Sequence, residues 1–223
     1  MSLLGRAMWG LRRRIARLRL ERRWRQLRRR GLNLGADVWL PRSTWIDPDF
    51  CFLISIGDHC GFGEGCLILA HDAQMDEFLD GARVGHVIIR ESSHIGARTT
   101  ILPGVEIGPR TIVGANSVVS ASLPADSVCG GNPARVLCSL GEYLTRHRSK
   151  MQVMPTLPYQ ANLDFAERER LRHLSGTGDV YLTGGRAVAL RGEGGTPRTG
   201  AHPAPSGKRW PRWARGKGMP RCW

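Results

Sequence analysis

A chain of 223 residues with a formal net charge of +14 has room for one core-forming domain with appendages, and its charge first points to a nucleic-acid partner. The charge is uneven: residues 1–30 hold 12 Arg against one Glu, residues 175–223 hold nine Lys or Arg against two acids, and residues 31–174 hold 12 basic against 16 acidic side chains. The basicity belongs to the ends, which argues against a nucleic-acid-binding body, and no apolar run reaches the roughly 18 residues needed to cross a membrane.

Residues 1–31 predict a basic amphipathic helix. Leu4, Met8, Leu11, Ile15 and Leu18 recur at three- and four-residue steps, with Arg12, Arg13, Arg17 and Arg19 around them and Trp9, Trp24 and Leu27 widening the apolar side. Arginines interrupt any apolar stretch of a secretory signal. Two readings stay open. Such a helix lies on an anionic membrane surface, or it covers the open first turn of the domain that follows.

From residue 32 the pattern changes to a period of six. Aliphatic residues stand at Ile89, Ile95, Ile101, Ile107, Val113 and Val119, an arrangement whose chance likelihood is on the order of 10⁻⁴. The same frame runs upstream through Leu34, Leu40 and Ile46, then through Ile56, Phe62 and Ile68 after the interruption Phe52–Ser55. Gly tends to follow the first position, as at Gly35, Gly57, Gly63, Gly96, Gly108 and Gly114, and the fifth position is small or β-branched. Six matches neither the 3.6-residue helix nor plain strand alternation. It fits short strands wound into a coil, each turned inward once per hexad, and predicts an all-β parallel β-helix over residues 32–138.

The hexads are broken once more, after His71-Asp72. Residues 74–86 form a polar excursion with Asp76, Glu77, Asp80, Gly81 and Gly85 before the repeat resumes, and a coil gains nothing structurally from breaking its stack there. Residues 132–135, Asn-Pro-Ala-Arg, are expected to end the coil, because proline does not continue central strand pairing. Two capping-box patterns, Ser139 with Glu142 and Asp164 with Glu167, predict helices over roughly 140–150 and up to about Leu174. Residues 139–174 are thus expected to cap the coil. The last 49 residues hold 11 Gly and five Pro and are predicted to be a disordered basic tail over 175–223.

Cysteines at 51, 60, 66, 129, 138 and 222 form no C-x-x-C pair. Cys60 and Cys66 occupy the small fifth position of consecutive hexads, where a thiol is a compact apolar filler. A reduced, cytoplasmic setting is expected, with the N-terminal helix offering attachment to the inner membrane face.

The runs Ile56-Gly-Asp-His-Cys-Gly-Phe-Gly-Glu-Gly, Ile68-Leu-Ala-His-Asp, Ile95-Gly-Ala, Leu102-Pro-Gly-Val, Val113-Gly-Ala-Asn-Ser-Val-Val and Gly131-Asn-Pro-Ala-Arg-Val together resemble the hexapeptide-repeat acyltransferases. Within them the chain looks most like the O-acetyltransferases of sugar and polysaccharide biosynthesis, and the resemblance covers about Leu32 to Leu174. It implies a left-handed β-helix, a homotrimer, acetyl-CoA as co-substrate without a metal, and a sugar or glycan acceptor.

On that resemblance His71 matches the catalytic histidine. Acetyl transfer from a thioester to a hydroxyl requires a base that takes the hydroxyl proton near neutral pH, and histidine meets that need. Asp47 and Asp72 are expected near the acceptor, a solvated turn being the other reading of Asp47 beside Pro48, and Asp72 being also a weaker candidate to orient the imidazole. His94, Ala97, Ala115, Ser120 and Arg135 fall at positions that imply contact with the coenzyme: small residues leave a smooth wall for its pantetheine, and the guanidinium suits its phosphates. The chain departs from the family at three of its positions. His94 stands where many relatives carry Trp, Ser120-Ala121 where some carry Thr-Lys, and Cys138 where some carry a second basic residue.

Other readings remain: N-acetylation of an amino sugar, a metal-dependent hydratase using His71, His86 and His94, and a non-catalytic scaffold. His59 is expected to be an exposed turn residue.

Overall fold

The computed structural model describes residues 22–159, 163–176 and 178–184. Most of the N-terminal helix and of the tail therefore lies outside the described residues. The chain divides into two compact units, one reaching to Gly141 and one beginning at Glu142.

In the first unit the chain visits three sheets in rotation. One holds β1 (Asn33–Leu34), β3 (Ile54–Ile56), β8 (Val87–Ile89) and β11 (Val105–Ile107). The second holds β4 (Gly61–Phe62), β9 (His94–Ile95), β12 (Ile112–Val113) and β14 (Ser127–Gly130), and the third β2 (Trp45–Ile46), β5 (Leu67–Ile68), β10 (Thr100–Ile101) and β13 (Val118–Val119). All these pairings are parallel. Their register stacks Leu34, Ile56, Ile89 and Ile107 in one column, Phe62, Ile95, Val113 and Cys129 in another, and Ile46, Ile68, Ile101 and Val119 in the third.

These columns are the first hexad positions. All are buried except Leu34, which packs partly exposed against the same core. Most fifth positions are also buried, and several of their side chains do more than fill space. Ser93 Oγ donates to the Gly108 carbonyl at 2.8 Å, Thr99 Oγ1 to Gly114 at 3.1 Å and Thr111 Oγ1 to Pro124 at 2.7 Å, so each satisfies a carbonyl of the next coil. Cys60 and Cys66 take the same slot, with Sγ 3.1 Å from the Arg90 carbonyl and 3.2 Å from that of Gly96. Burial pushes the Cys60 thiol up to about 11 and raises Cys66 and Cys129 as well, which keeps them protonated and unreactive.

The second-position glycines answer to close stacking. A Cβ on Gly96 would stand 2.7 Å from the Gly114 carbonyl carbon and 2.8 Å from Ala115 Cα, both backbone atoms of the coil above. Gly96→Ala is therefore expected to cost about 2 kcal/mol and lower Tm by roughly 5 °C in calorimetry. An unchanged Tm would mean that the turn of Ala115 yields freely. The fourth position holds the left-handed backbone that closes each corner: φ is +51° at Asp37, +58° at His59, +61° at Arg98 and +55° at Asn116. His59, in that corner, is exposed as expected and lies 3.5 Å from Asp37 Oδ2.

One feature of this unit departs from the six-residue frame read above. The coil continues past Val119: Leu123 bridges Ile107, and Cys129 pairs in register with Val113. After Asn132-Pro133 the chain then turns back as antiparallel β15 (Arg135–Ser139) against β14. The described end of the N-terminal helix, α1 (residues 22–29), buries Leu27 in the same core, and Cys51 Sγ lies 3.7 Å from the Leu27 carbonyl. Residues 22–30 thus cover the first coil. No described helix is long and apolar enough to cross a membrane.

The second unit contains most of α3 (Leu140–Val153), then β16 (Thr156–Pro158), α4 (Phe165–Ser175) and β17 (Tyr181–Thr183). The Asp164–Glu167 box forms as the sequence predicts, with Glu167 N donating to Asp164 Oδ1 and Asp164 N to Glu167 Oε2, each at 2.8 Å. The segment 178–184, assigned above to a disordered tail, instead carries β17, which pairs in parallel with β16. Its Tyr-Leu-Thr run suits a strand, and its partner lies too far away in sequence for local reading to find.

Candidate active site

The site begins at the corner after the third sheet. Strand β2 ends at Ile46, and Asp47 follows in the second hexad position, one coil below Leu69; its amide donates to the Ile68 carbonyl at 3.0 Å. That register brings the side chain of Asp47 under Ala70-His71, 24 residues later. The Asp47 side chain is fully buried. Its Oδ1 accepts from the amides of Asp49 and Phe50 at 3.2 Å each, and its Oδ2 accepts from the Ala70 amide at 3.3 Å and from Nδ1 of His71. Burial alone pushes this carboxyl up, but the bonds from His71, Phe50 and Ala70 outweigh it and hold Asp47 below the ordinary carboxylate value.

An ionised carboxylate only accepts. Nδ1 of His71 must therefore carry a proton, and in the neutral ring Nε2 is left with its lone pair. Phe50 fixes the ring from the side, its centroid 4.7 Å from that of His71 at a tilt of 32°. About a third of the His71 side chain remains exposed. The arrangement is an oriented imidazole base with one open nitrogen.

His71 sits in the fourth hexad position, where other coils turn left-handed, yet it does not close a corner. It opens strand β6 (His71–Asp72), which pairs antiparallel with β7 (Arg83–Val84). Between them the chain runs out through the short helix α2 (Asp76–Leu79), where Phe78 and Leu79 are largely exposed. The excursion read from the sequence is thus a hairpin that begins at the histidine. Asp72 is half-buried, and its Oδ1 accepts from the Gln74 amide at 3.0 Å, which shapes the start of the loop.

Asp47 was expected to hold the acceptor or to be a solvated turn. Its buried carboxylate, spent on three amides and the imidazole, does neither; it positions His71. The orienting role considered for Asp72 belongs to Asp47. Phe50 was missed altogether. The usable signal was register: aligned hexad by hexad, Asp47 lies directly under the chain leading to His71.

The remaining residues fall elsewhere. Ser120 is exposed on the same edge as His71, after the third sheet. Ala97 and Ala115 lie on a different edge, between the second and third sheets, where Asn116 N donates to the Ala97 carbonyl at 2.9 Å. His94 is exposed on the outer face of the second sheet and stands over Gly61, where a Cβ would lie 2.7 Å from its Nδ1. A shallow groove of about 430 Å³ on that face is lined by Trp39, Gly61, His94, Ile112 and Ala115, and does not include His71. Arg135 is exposed at the hairpin, its Nη1 bonded to the Ala134 carbonyl at 2.9 Å. One protomer therefore brings together His71, Asp47 and Ser120 on one edge and His94, Ala97 and Ala115 around another. Among the described residues no group of three His, Cys, Asp or Glu side chains converges as a metal site.

Comparison with known proteins gives a family match over residues 86–121, to the bacterial transferase hexapeptide (six repeats). The YvoF protein of Bacillus subtilis is 39% identical over 101 residues, which is 44% of this chain and 56% of YvoF. Galactoside O-acetyltransferase of Lactococcus lactis is 35% identical over 86 residues, 37% of this chain and 42% of the relative. The chain thus spans about half the length of these relatives. A solved hexapeptide-repeat acetyltransferase from Vibrio cholerae, complexed with acetyl coenzyme A, superposes with a TM-score of 0.45 at 28% identity, covering 49% of this chain and 61% of that one. Residues 86–121 are a run of bacterial transferase hexapeptide repeats, and the resemblance read in the sequence holds.

Proposed function

We propose that the chain is an acetyl-CoA-dependent O-acetyltransferase acting on a hydroxyl of a sugar or glycan, and that its rotation through three sheets is a left-handed β-helix. The observation that carries this reading is the His71–Asp47 pair, set where the winding is broken and a hairpin leaves the coil. Nε2 of His71 takes the proton of the acceptor hydroxyl as its oxygen attacks the thioester carbonyl. The imidazolium then returns that proton to the departing sulfur as the carbon–sulfur bond breaks, and the acetyl ester is left on the acceptor. Buried Asp47 stabilises the charged ring between the two steps. The described thiols are buried away from water, which favours direct transfer over an acyl-enzyme.

The groove over the second sheet fits an extended, thin co-substrate, because Gly61 and Ala115 keep side chains clear of the backbone. His94, Ala97, Ala115, Ser120 and Arg135 are the residues proposed to contact the coenzyme, and Asp72 the residue left to meet the acceptor. Since His71 and the groove lie on different parts of one protomer, the reading places the base of one copy against the groove of the next in a homotrimer. Thiol release from acetyl-CoA with a panel of nucleotide sugars and oligosaccharides tests the activity, and loss of product label under mild alkali separates an ester from the amide of an amino sugar. Absence of both turnover and coenzyme binding would leave the scaffold reading instead. Co-refolding His71→Ala with Ala115→Trp tests the shared site: each variant alone is expected to be inactive and the mixture to recover about a quarter or less of normal turnover, whereas a site within one chain recovers none.

A further inference from the structure

A second cavity, of about 200 Å³, lies between α1 and the turn that carries Asp47. It is smaller than the roughly 300–1,000 Å³ pockets that take drug-sized ligands, and suits one ring. Arg23, Gln26 and Arg30 line it from the helix, Trp45 and Pro48 from the opposite wall. Its polar lining is two guanidiniums and a carboxamide, with no carboxylate. Trp45 is 38% exposed and offers a flat apolar face of the kind against which a pyranose packs.

Of the two guanidiniums in this cleft, Arg23 is the one whose charge no described carboxylate answers. Arg23 is half-buried; its Nη1 donates to the Arg42 carbonyl at 3.0 Å, and among the described residues no carboxylate lies within ion-pairing distance of it. Burial and the Arg42 guanidinium both pull the Arg23 pKa below its ordinary value, the mark of a cation short of a counter-ion. Arg30 shares Asp49 at 3.1 Å, and the Asp49 amide donates to Asp47, which holds His71. The cleft is therefore wired, through one turn, to the imidazole.

We infer that this cleft is an acceptor subsite for a monosaccharide bearing an acidic group, a phosphate or a carboxylate, with the anion on Arg23 and Arg30 and the ring on Trp45. The inference rests on the acetyltransferase reading for its place in the reaction, but its binding step does not need turnover. Two planar forks suit an oxyanion, and half-buried Arg23 gives it more than a solvated arginine can, while exposed Arg30 adds a second fork from the rim.

Calorimetry on the full chain with glucose 1-phosphate, glucuronate and glucose tests it. At least one of the acidic sugars is expected to bind tenfold or more tighter than glucose, and the tighter of the two identifies the acid. Arg23→Gln is expected to cost that sugar tenfold in affinity, and Arg23→Lys to keep part of it. Binding that survives in His71→Ala supports the subsite whatever the activity assay shows. Equal binding of all three sugars, equal binding of inorganic phosphate and glucose 1-phosphate, or equal losses in the Lys and Gln variants with unchanged Tm would overturn the inference and leave the acetyltransferase reading standing.

Discussion

His71→Ala is expected to lower kcat for acetyl transfer about 10³-fold or more while leaving coenzyme affinity within about twofold, since the imidazole is asked to move the proton rather than to bind the co-substrate. The magnitude follows from what is lost. Without Nε2 the acceptor hydroxyl must attack as a neutral alcohol or give its proton to water. The substitution also strips Asp47 of its imidazole partner inside the protein, which costs about 1–3 kcal/mol of stability. His71→Gln separates the two effects: a carboxamide can still donate to the buried carboxylate but cannot act as a base, so Tm is expected to recover partly while kcat does not. Steady-state kinetics beside thermal melts give both numbers. Turnover within tenfold of normal in either variant removes His71 from the chemistry.

The inward columns were legible because every coil repeats the same demand at the same position. A side chain that must point into the core once per six residues leaves a frame any single sequence can show, and Ile89, Ile95 and Ile101 each take a place in a different one of the three inward columns. Leu123 and Cys129 escaped because the frame slips by two residues after Val119 and because a cysteine in a core column carries no aliphatic signature. The fifth-position thiols of Cys60 and Cys66 were read as fillers, although they and the hydroxyls in the same slot also hold carbonyls of neighbouring coils. Left-handed corners at Asp37, His59, Arg98 and Asn116 left no trace, since only glycine advertises that backbone. His71 was legible through its motif and the break that follows it. Its partner was not. An Asp-Pro-Asp sequence looks like a solvated turn, and only the coil register carries Asp47 beneath the corner 24 residues ahead.

Asp47→Asn is the sharper test of how the base is held. An asparagine can keep accepting from the amides of Asp49 and Phe50, but the other half of its carboxamide then presents an N–H to Nδ1. The imidazole is driven to the opposite tautomer, with its proton on Nε2, and cannot accept from the acceptor hydroxyl. A loss of about 10²–10⁴ in kcat with KM little changed is expected. The same variant reports on stability through pH. Because folding lowers the carboxyl pKa of Asp47, the unfolded chain binds its proton more readily. The stabilisation is complete above the unfolded value near pH 4 and disappears as pH falls through the lower folded value. The gap in Tm between the natural chain and Asp47→Asn is therefore expected to be wide at pH 7 and to narrow toward pH 3 in parallel thermal melts. A gap that stays constant over that range would mean that the aspartate serves packing rather than charge, and a variant with normal kcat would mean that some other group orients His71.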